Sequence, residues 1–262
     1  VKIITEPKVT LVSFPSYTPH PVYQLPPHEQ AGENIIAMAG KVCYDSYGLD
    51  GNAVERHIKT LVDSGHHSVL EHVHVGLFIE GISRGCSHEI VRHRMFNYSQ
   101  RSTRYTAEDD AAIVLDPYYA DIYLRSNEPG YPVVAREVEL LKTFLYGCEG
   151  GLAAYRRSVE LLSGWSEDSR EQQGIPLNPR DYRKWCRGKA RQLLPHAAET
   201  RMVMTGNLRA WRHFLVMRSS RHAEAEIRRL AAAVWAIIRP LAPSVFADMI
   251  AEDVGGFVEV IA

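Results

Sequence analysis

The chain has 262 residues, of which 45% are hydrophobic and 23% charged, and its formal net charge is -1. That balance is ordinary for a soluble globular protein, and a charge so near zero argues against a general nucleic-acid binder, which carries a basic excess over a whole face, so any polyanion site is local. No run of eighteen apolar residues is present, and Cys43, Cys86, Cys148 and Cys186 lie far apart without C-x-x-C spacing, so neither a membrane span, a zinc ribbon nor a redox pair is expected.

From the N-terminus, residues 1–14 are rich in Val, Ile and Thr and read as one or two short strands broken at Pro7. The opening VKIITEPKVTLVSF carries an early acid and a proline and no charged lead into an apolar core, which points to a cytoplasmic protein without a membrane partner. Pro15 to Pro27 holds five prolines and is expected to be an irregular connection. Helical spacing of Ile35, Ile36, Met38, Ala39 and Val42 predicts a helix over 28–44, and a second runs from Val54 to Val62, ended by Asp63-Ser64-Gly65. In the next segment Val73, Val75, Leu77 and Ile79 alternate with His72, His74, Gly76 and Phe78. This predicts a strand with one buried face and with His72 and His74 on the other. The histidines and Glu71 lack H-E-x-x-H spacing, and no metal is expected. A helical turn from Ile82 to Val91 follows.

Arg92 to Tyr105, RHRMFNYSQRSTRY, holds four arginines, one histidine, two serines and a threonine with no acid. Guanidinium forks that stay charged at any working pH, joined by hydroxyl donors, suit a phosphate better than a lone carboxylate. A solvated surface loop is the common fate of such a run. The interleaved Met95, Phe96, Tyr98 and Tyr105 argue against it here.

Ala107 to Pro132 is acidic, interrupted by proline and weakly periodic, and is expected to be peripheral. Ala135 to Leu162 reads as one long amphipathic helix. Ser163 to Asp181 is polar with scattered Gly and Pro and reads as a long loop. A helix over Tyr182–Leu193 contains Arg191, Glu199–Thr205 reads as a strand, and Asn207 suits the cap of a last long helix to about residue 236. On that helix Arg209 and His213 share one face, and Asn207, Trp211, Phe214 and Arg218 share another. The fold expected is a single α+β domain over 1–262, with a mostly antiparallel sheet flanked by long helices at 28–44, 135–162 and 207–236.

Arg92-His93-Arg94, seven further residues, then Ser102 and Arg104-Tyr105 are similar to the signature of the flavin-dependent thymidylate synthases. Asn97 and Ser99 depart from the longer pattern, in which Ser and Asn stand in the opposite order. The resemblance extends to Gly65–His72, to Asn207-x-Arg209, and to Met217-Arg218 followed by His222-Ala223 and Glu226-Ile227. It implies conversion of dUMP to dTMP, with FAD bound and with NADPH and methylenetetrahydrofolate as co-substrates.

By the same resemblance, dUMP is held by Glu89, Ile90, Val91 and Arg92, by Gln100, Arg101, Ser102, Thr103 and Arg104, and by Arg191 and Arg218. FAD is held by Ser68, Arg92, His93, Arg94, Gln100, Asn207, Leu208, Arg209 and His213, without a G-x-G-x-x-G turn. Arg218 is the catalytic candidate, a fixed cation that stabilises charge developing on the uracil ring. Its alternative is a helix-end ion pair with Glu224 or Glu226. Ser102 lies outside any G-x-S-x-G context and no cysteine sits in a nucleophile motif, so no enzyme nucleophile is expected. The family assembles as a homotetramer with its sites where subunits meet. A non-catalytic nucleotide or RNA binder is the competing class, and it predicts a colourless protein.

Overall fold

A computed structural model describes residues 1–26, 28–46, 54–128, 134–254 and 257–261. Pro27, which ends the proline-rich connection, and 129–132, which end the acidic stretch, lie outside the described residues. In chain order the elements are β1 (Ile3–Ile4), β2 (Lys8–Ser13), α1 (Ala31–Cys43), α2 (Val54–Asp63), β3 (His74–Ser83), α3 (Arg84–Ile90), β4 (Asn97–Gln100) and β5 (Ile113–Val114). They continue as α4 (Pro117–Asn127), α5 (Ala135–Ser163), α6 (Glu167–Gln172), α7 (Pro179–Ala190), β6 (Glu199–Asn207), α8 (Leu208–Ser219), α9 (Ala225–Ile238), β7 (Ile250–Val254) and β8 (Phe257–Ile261). The class is α+β, as expected, with an antiparallel sheet and long helices. No described helix is long and apolar enough to cross a membrane.

The chain forms two compact units. One comprises Val1–Glu6, Gly81–His88 and Gln100–Arg201, the other Pro7–Glu80, Glu89–Ser99 and Met202–Ala262.

The second of these is organised on the sheet ordered β2-β3-β6-β4, in which β2 and β3 pair antiparallel with Leu11 opposite Leu77. Val75, Leu77 and Ile79 of β3 are fully buried, as their alternation predicts. The opposite face is not simply solvated, because Gly76 is buried and Phe78 half-buried. His72 lies ahead of the strand, in a tight 3-10 turn over His67–His72, so only His74 is carried on the strand. Trp211 and Phe214 of α8 fill the core of this unit, and the Trp211 indole donates to the carbonyl of Val75 at 3.2 Å.

The helix expected over 207–236 is two helices. At the break, the Ser219 carbonyl accepts from Arg228 Nε at 3.3 Å, and the Ser219 hydroxyl accepts from the amide of Val260 at 2.8 Å. Serine pairs compete in this way with the helix ladder, and Ser220 takes an extended backbone instead. The β7–β8 hairpin that supplies Val260 has no strong alternation in IAEDVGGFVEVI and is not foreseen in the sequence.

In the other unit β1 and β5 pair in parallel, α4 and α5 pack around a core of Ile113, Leu115, Ile122, Leu141 and Leu152, and α7 packs against α5. The described part of the acidic stretch, 107–128, is therefore not peripheral: Ile113 and Ile122 are fully buried and Leu115 is 1% exposed. A short strand covered on both faces reads as an apolar run, AAIVL, with no period to detect. The stretch over 163–181 is also more ordered than a loop. It holds α6, capped by Ser166, and the first turn of α7, where Asn178 accepts from the Arg180 amide at 2.9 Å and Pro179 follows. A capping side chain followed by proline is a helix start.

Candidate functional site

The turn between α3 and β4 and the first turns of α8 are brought together within the second unit. Their shared boundary is a cavity of about 600 Å³ lined by Arg92, His93, Arg94, Met95 and Phe96 on one side and by Asn207, Arg209, Ala210, His213 and Arg218 on the other. Asn207 takes its expected place as the α8 cap, its side-chain oxygen accepting from the Ala210 amide at 2.8 Å. The N-terminus of α8 therefore borders the cavity, where the aligned helix dipole favours an anion although the Leu208 amide is taken by the Val73 carbonyl at 2.9 Å.

Two contacts hold the turn in register with α8. The Phe96 ring lies across Gly206, where an added Cβ would fall 2.5 Å or less from ring carbons, so only glycine permits the approach. Phe96 is also edge-on to Trp211, with ring centres 4.6 Å apart. The Tyr98 hydroxyl lies 2.7 Å from the His93 carbonyl and 2.8 Å from that of Ile90, tying both ends of the turn, and burial pushes its pKa up to about 12.

Arg218 ends α8 in a specific clasp. Its Nε donates to His93 Nε2 at 2.7 Å, one Nη donates to Glu89 Oε2 at 3.1 Å, and the other to the Glu89 carbonyl at 3.2 Å. Arginine can only donate, so His93 Nε2 must be a bare lone pair with the imidazole proton on Nδ1. Burial, then the Arg218 charge, then His213 push the His93 imidazole down to about 4, which keeps that acceptor neutral. Glu89 is the counter-ion of Arg218, in place of the Glu224 or Glu226 alternatives. Arg209 pairs with Glu71 at 2.6 Å, and both side chains are substantially exposed. Arg92 and Arg94 make no ion pair with any described residue.

Of the other residues singled out in the sequence, Leu208, the first residue of α8, is buried, and Ile90 is buried while Val91 is exposed. Ser68 lines a separate cavity of about 280 Å³ with Cys43, Tyr44 and His66. Gln100, Arg101, Ser102, Thr103, Arg104 and Arg191 belong to the other unit. There Gln100 donates to Ser87 Oγ at 2.9 Å and to Thr200 Oγ1 at 3.3 Å, and Thr103 is buried. Arg101 is engaged with two acids, Glu108 at 3.2 Å and Glu199 at 3.4 Å. Arg104 is exposed and makes no ion pair with a described residue. Arg191 closes α7. Among the described residues no group of three or more His, Cys, Asp or Glu is placed to share a metal ion.

An α+β chain with a cation-rich cavity, an aromatic floor and a helix N-terminus at its edge is of a class equipped for flat, phosphate-bearing ligands. Its family is narrower than that class. Residues 24–244 match the family model described as thymidylate synthase complementing protein. The flavin-dependent thymidylate synthase of Mycolicibacterium vanbaalenii is 37% identical over 244 residues, covering 92% of this chain and 89% of that protein. That of Mycobacteroides abscessus is likewise 37% identical over 244 residues, and that of Mycobacterium avium 40% identical over 220, covering 83% of this chain and 79% of its own. The chain belongs to the flavin-dependent thymidylate synthase family.

Proposed function

We propose that the chain methylates dUMP reductively to dTMP, with FAD bound, methylenetetrahydrofolate as the carbon donor and NADPH as the reductant. The observation that carries this reading is the convergence of Arg92-His93-Arg94 and Asn207-x-Arg209…Arg218 on one cavity. The donor set fits a flavin dinucleotide: Arg92, Arg94 and the α8 N-terminus can meet a diphosphate, while Phe96 and Met95 offer apolar surface to a flat ring. Bound FAD supplies hydride transfer, chemistry that no side chain here can perform.

The chain's own residues bind and polarise. Arg218 presents a guanidinium whose orientation is set by His93 and Glu89, so its charge needs no reorganisation as negative charge grows on the uracil. His93 holds its proton at Nδ1 and leaves Nε2 to accept. Glu89 balances Arg218, which accounts for an acid within an otherwise basic site. Gln100, Arg101, Ser102, Thr103, Arg104 and Arg191 form the dUMP clamp in this reading, and Ser68 joins the flavin contacts. The family match runs through both units, which supports one functional domain over 1–262. We take the enzyme to be a cytoplasmic homotetramer without nucleic-acid or membrane partners, its sites completed where subunits meet.

The test is the absorbance spectrum of the purified protein, followed by its response to nucleotides. A yellow protein that converts dUMP to dTMP when given methylenetetrahydrofolate and NADPH carries the proposal. A colourless protein that binds nucleotides without turnover would return it to the non-catalytic class.

A further inference from the structure

Glu108 is a buried carboxylate, 1% exposed, that the mechanism above leaves unused. It lies at the end of the loop that begins at Arg101, and both belong to the same unit. Arg101 reaches back across its own loop. One Nη donates to the Ala107 carbonyl at 3.2 Å and makes an ion contact with Glu108 Oε2 at 3.2 Å, the other donates to Glu199 at 3.4 Å, and Nε donates to Thr106 Oγ1 at 3.4 Å. Arg84 adds a second cation, donating to the Arg101 carbonyl at 2.9 Å and lying 3.9 Å from Glu108 Oε1. The Glu108 amide donates to the hydroxyl of Tyr155, a fully buried residue of α5, at 3.3 Å.

Inside this closure the loop is tightly wound. The Ser102 carbonyl accepts from the amides of Tyr105 and Thr106 at 3.1 Å each and from the Thr106 hydroxyl at 2.8 Å. The Arg104 amide donates to Ser102 Oγ at 3.3 Å, which leaves the serine's own proton available to donate outward. Two arginines in one short loop thus stand in opposite conditions: the Arg101 guanidinium is engaged on the protein side, and Arg104 has no acidic partner among the described residues.

We infer that Glu108 is a positioning residue, which with Arg101 and Arg84 closes the base of the 101–107 loop and presets Ser102 and Arg104 for the phosphate of the nucleotide. The inference rests on the reading of dUMP as substrate. A loop wound before binding does not lose its conformational entropy on binding, so the effect of the closure falls on affinity for the phosphate-bearing ligand. A buried carboxylate set between two half-buried arginines suits this role, because removing its charge takes from Arg84 its ion-pair partner and leaves Arg101 with Glu199 alone, which loosens the loop they hold.

The test is Glu108→Gln in the FAD-bound holoenzyme, with dUMP as substrate and deoxyuridine as a phosphate-free competitor. KM for dUMP should rise about tenfold, kcat should stay within about threefold, and the inhibition constant of deoxyuridine should shift by less than about twofold. The flavin spectrum should be retained. Unchanged dUMP affinity, or parallel losses for dUMP and deoxyuridine, would overturn the inference, since a general packing defect does not discriminate by phosphate. If Glu108→Gln does not fold, Arg84→Gln decides on the same readouts, with a smaller rise in KM expected and no rise overturning the inference. Wild-type enzyme that fails to prefer dUMP over deoxyuridine would instead sink the thymidylate reading, and this inference with it.

Discussion

Arg92 and Arg94 on one side and Arg101 on the other belong to a single basic run in the sequence, yet the structure uses them in opposite ways. Arg92 and Arg94 border the cavity and make no ion pair with a described residue, whereas Arg101 is held by two buried or nearly buried acids, Glu108 and Glu199. The lesson is that a basic run does not bind an anion as a block. Each arginine is available or engaged according to whether a distant carboxylate is folded against it, and a carboxylate in a buried setting binds its arginine more firmly than one in water. Arg218 is the intermediate case, with Glu89 beside it but in a half-open setting.

The sharpest break in this comparison is Arg218→Lys. Lysine keeps the charge but cannot donate at once to His93 Nε2, the Glu89 side chain and the Glu89 carbonyl. Turnover should fall by about 100-fold or more, the scale of losing an aimed charge-stabilising donor, while bound flavin absorbance remains. Near-normal turnover would place Arg218 among the merely structural arginines.

Gly206→Ala attacks the floor between the cavity's two sides. The new methyl would collide with Phe96, which is buried and boxed in by Trp211 and Phe214, so the ring has nowhere to go. Overpacking of this kind costs about 1–3 kcal/mol, and thermal denaturation should show a drop of several degrees together with weaker flavin retention. A stability loss with the flavin held as tightly as before would mean that Phe96 packs the core without shaping the site. Tyr98→Phe should act in the same direction with about 1 kcal/mol, because one hydroxyl is lost from the carbonyls of Ile90 and His93.

Much of the cavity was legible because its residues sit in two short clusters with fixed internal spacing, and Asn207 at a strand-to-helix junction announces a cap. The engaged arginines were not. Nothing in A-E-D-D separates Glu108, buried, from Asp109 and Asp110, both exposed. Burial of one acid among three depends on Tyr155 and Arg84 arriving from elsewhere in the chain. The pairing of Glu89 with Arg218 is hidden for the same reason: 129 positions separate partners that only the fold makes neighbours. On the side of secondary structure, β3 was readable because alternation persists over its length. The apolar run at β5 carries no period, and the α8–α9 break depends on the hydroxyl and carbonyl of Ser219 finding partners in Val260 and Arg228.

The smallest effect expected is also the most specific, since it reads the engaged state of Arg218 through its neighbour. His93 is held down to about 4 by burial first and by the Arg218 charge second, with His213 adding a little. In the unfolded chain the same imidazole titrates near 6.5. As pH falls from about 6.5 to about 4, the unfolded chain therefore takes up a proton that the folded chain refuses, and this site's contribution to stability, complete above 6.5, declines through that window. Histidine NMR should show His93 neutral, with its proton on Nδ1, until the pH approaches 4. Arg218→Met removes the second cause and leaves the first, so the pKa should rise and still stay below 6.5. The loss of stability on acidification should shrink correspondingly. A His93 that titrates near 6.5 in the wild type, or that is indifferent to Arg218→Met, would show that the Nε–Nε2 contact does not persist in solution. Arg218 would then join Arg92 and Arg94 as an available cation, and the distinction drawn between them would fail.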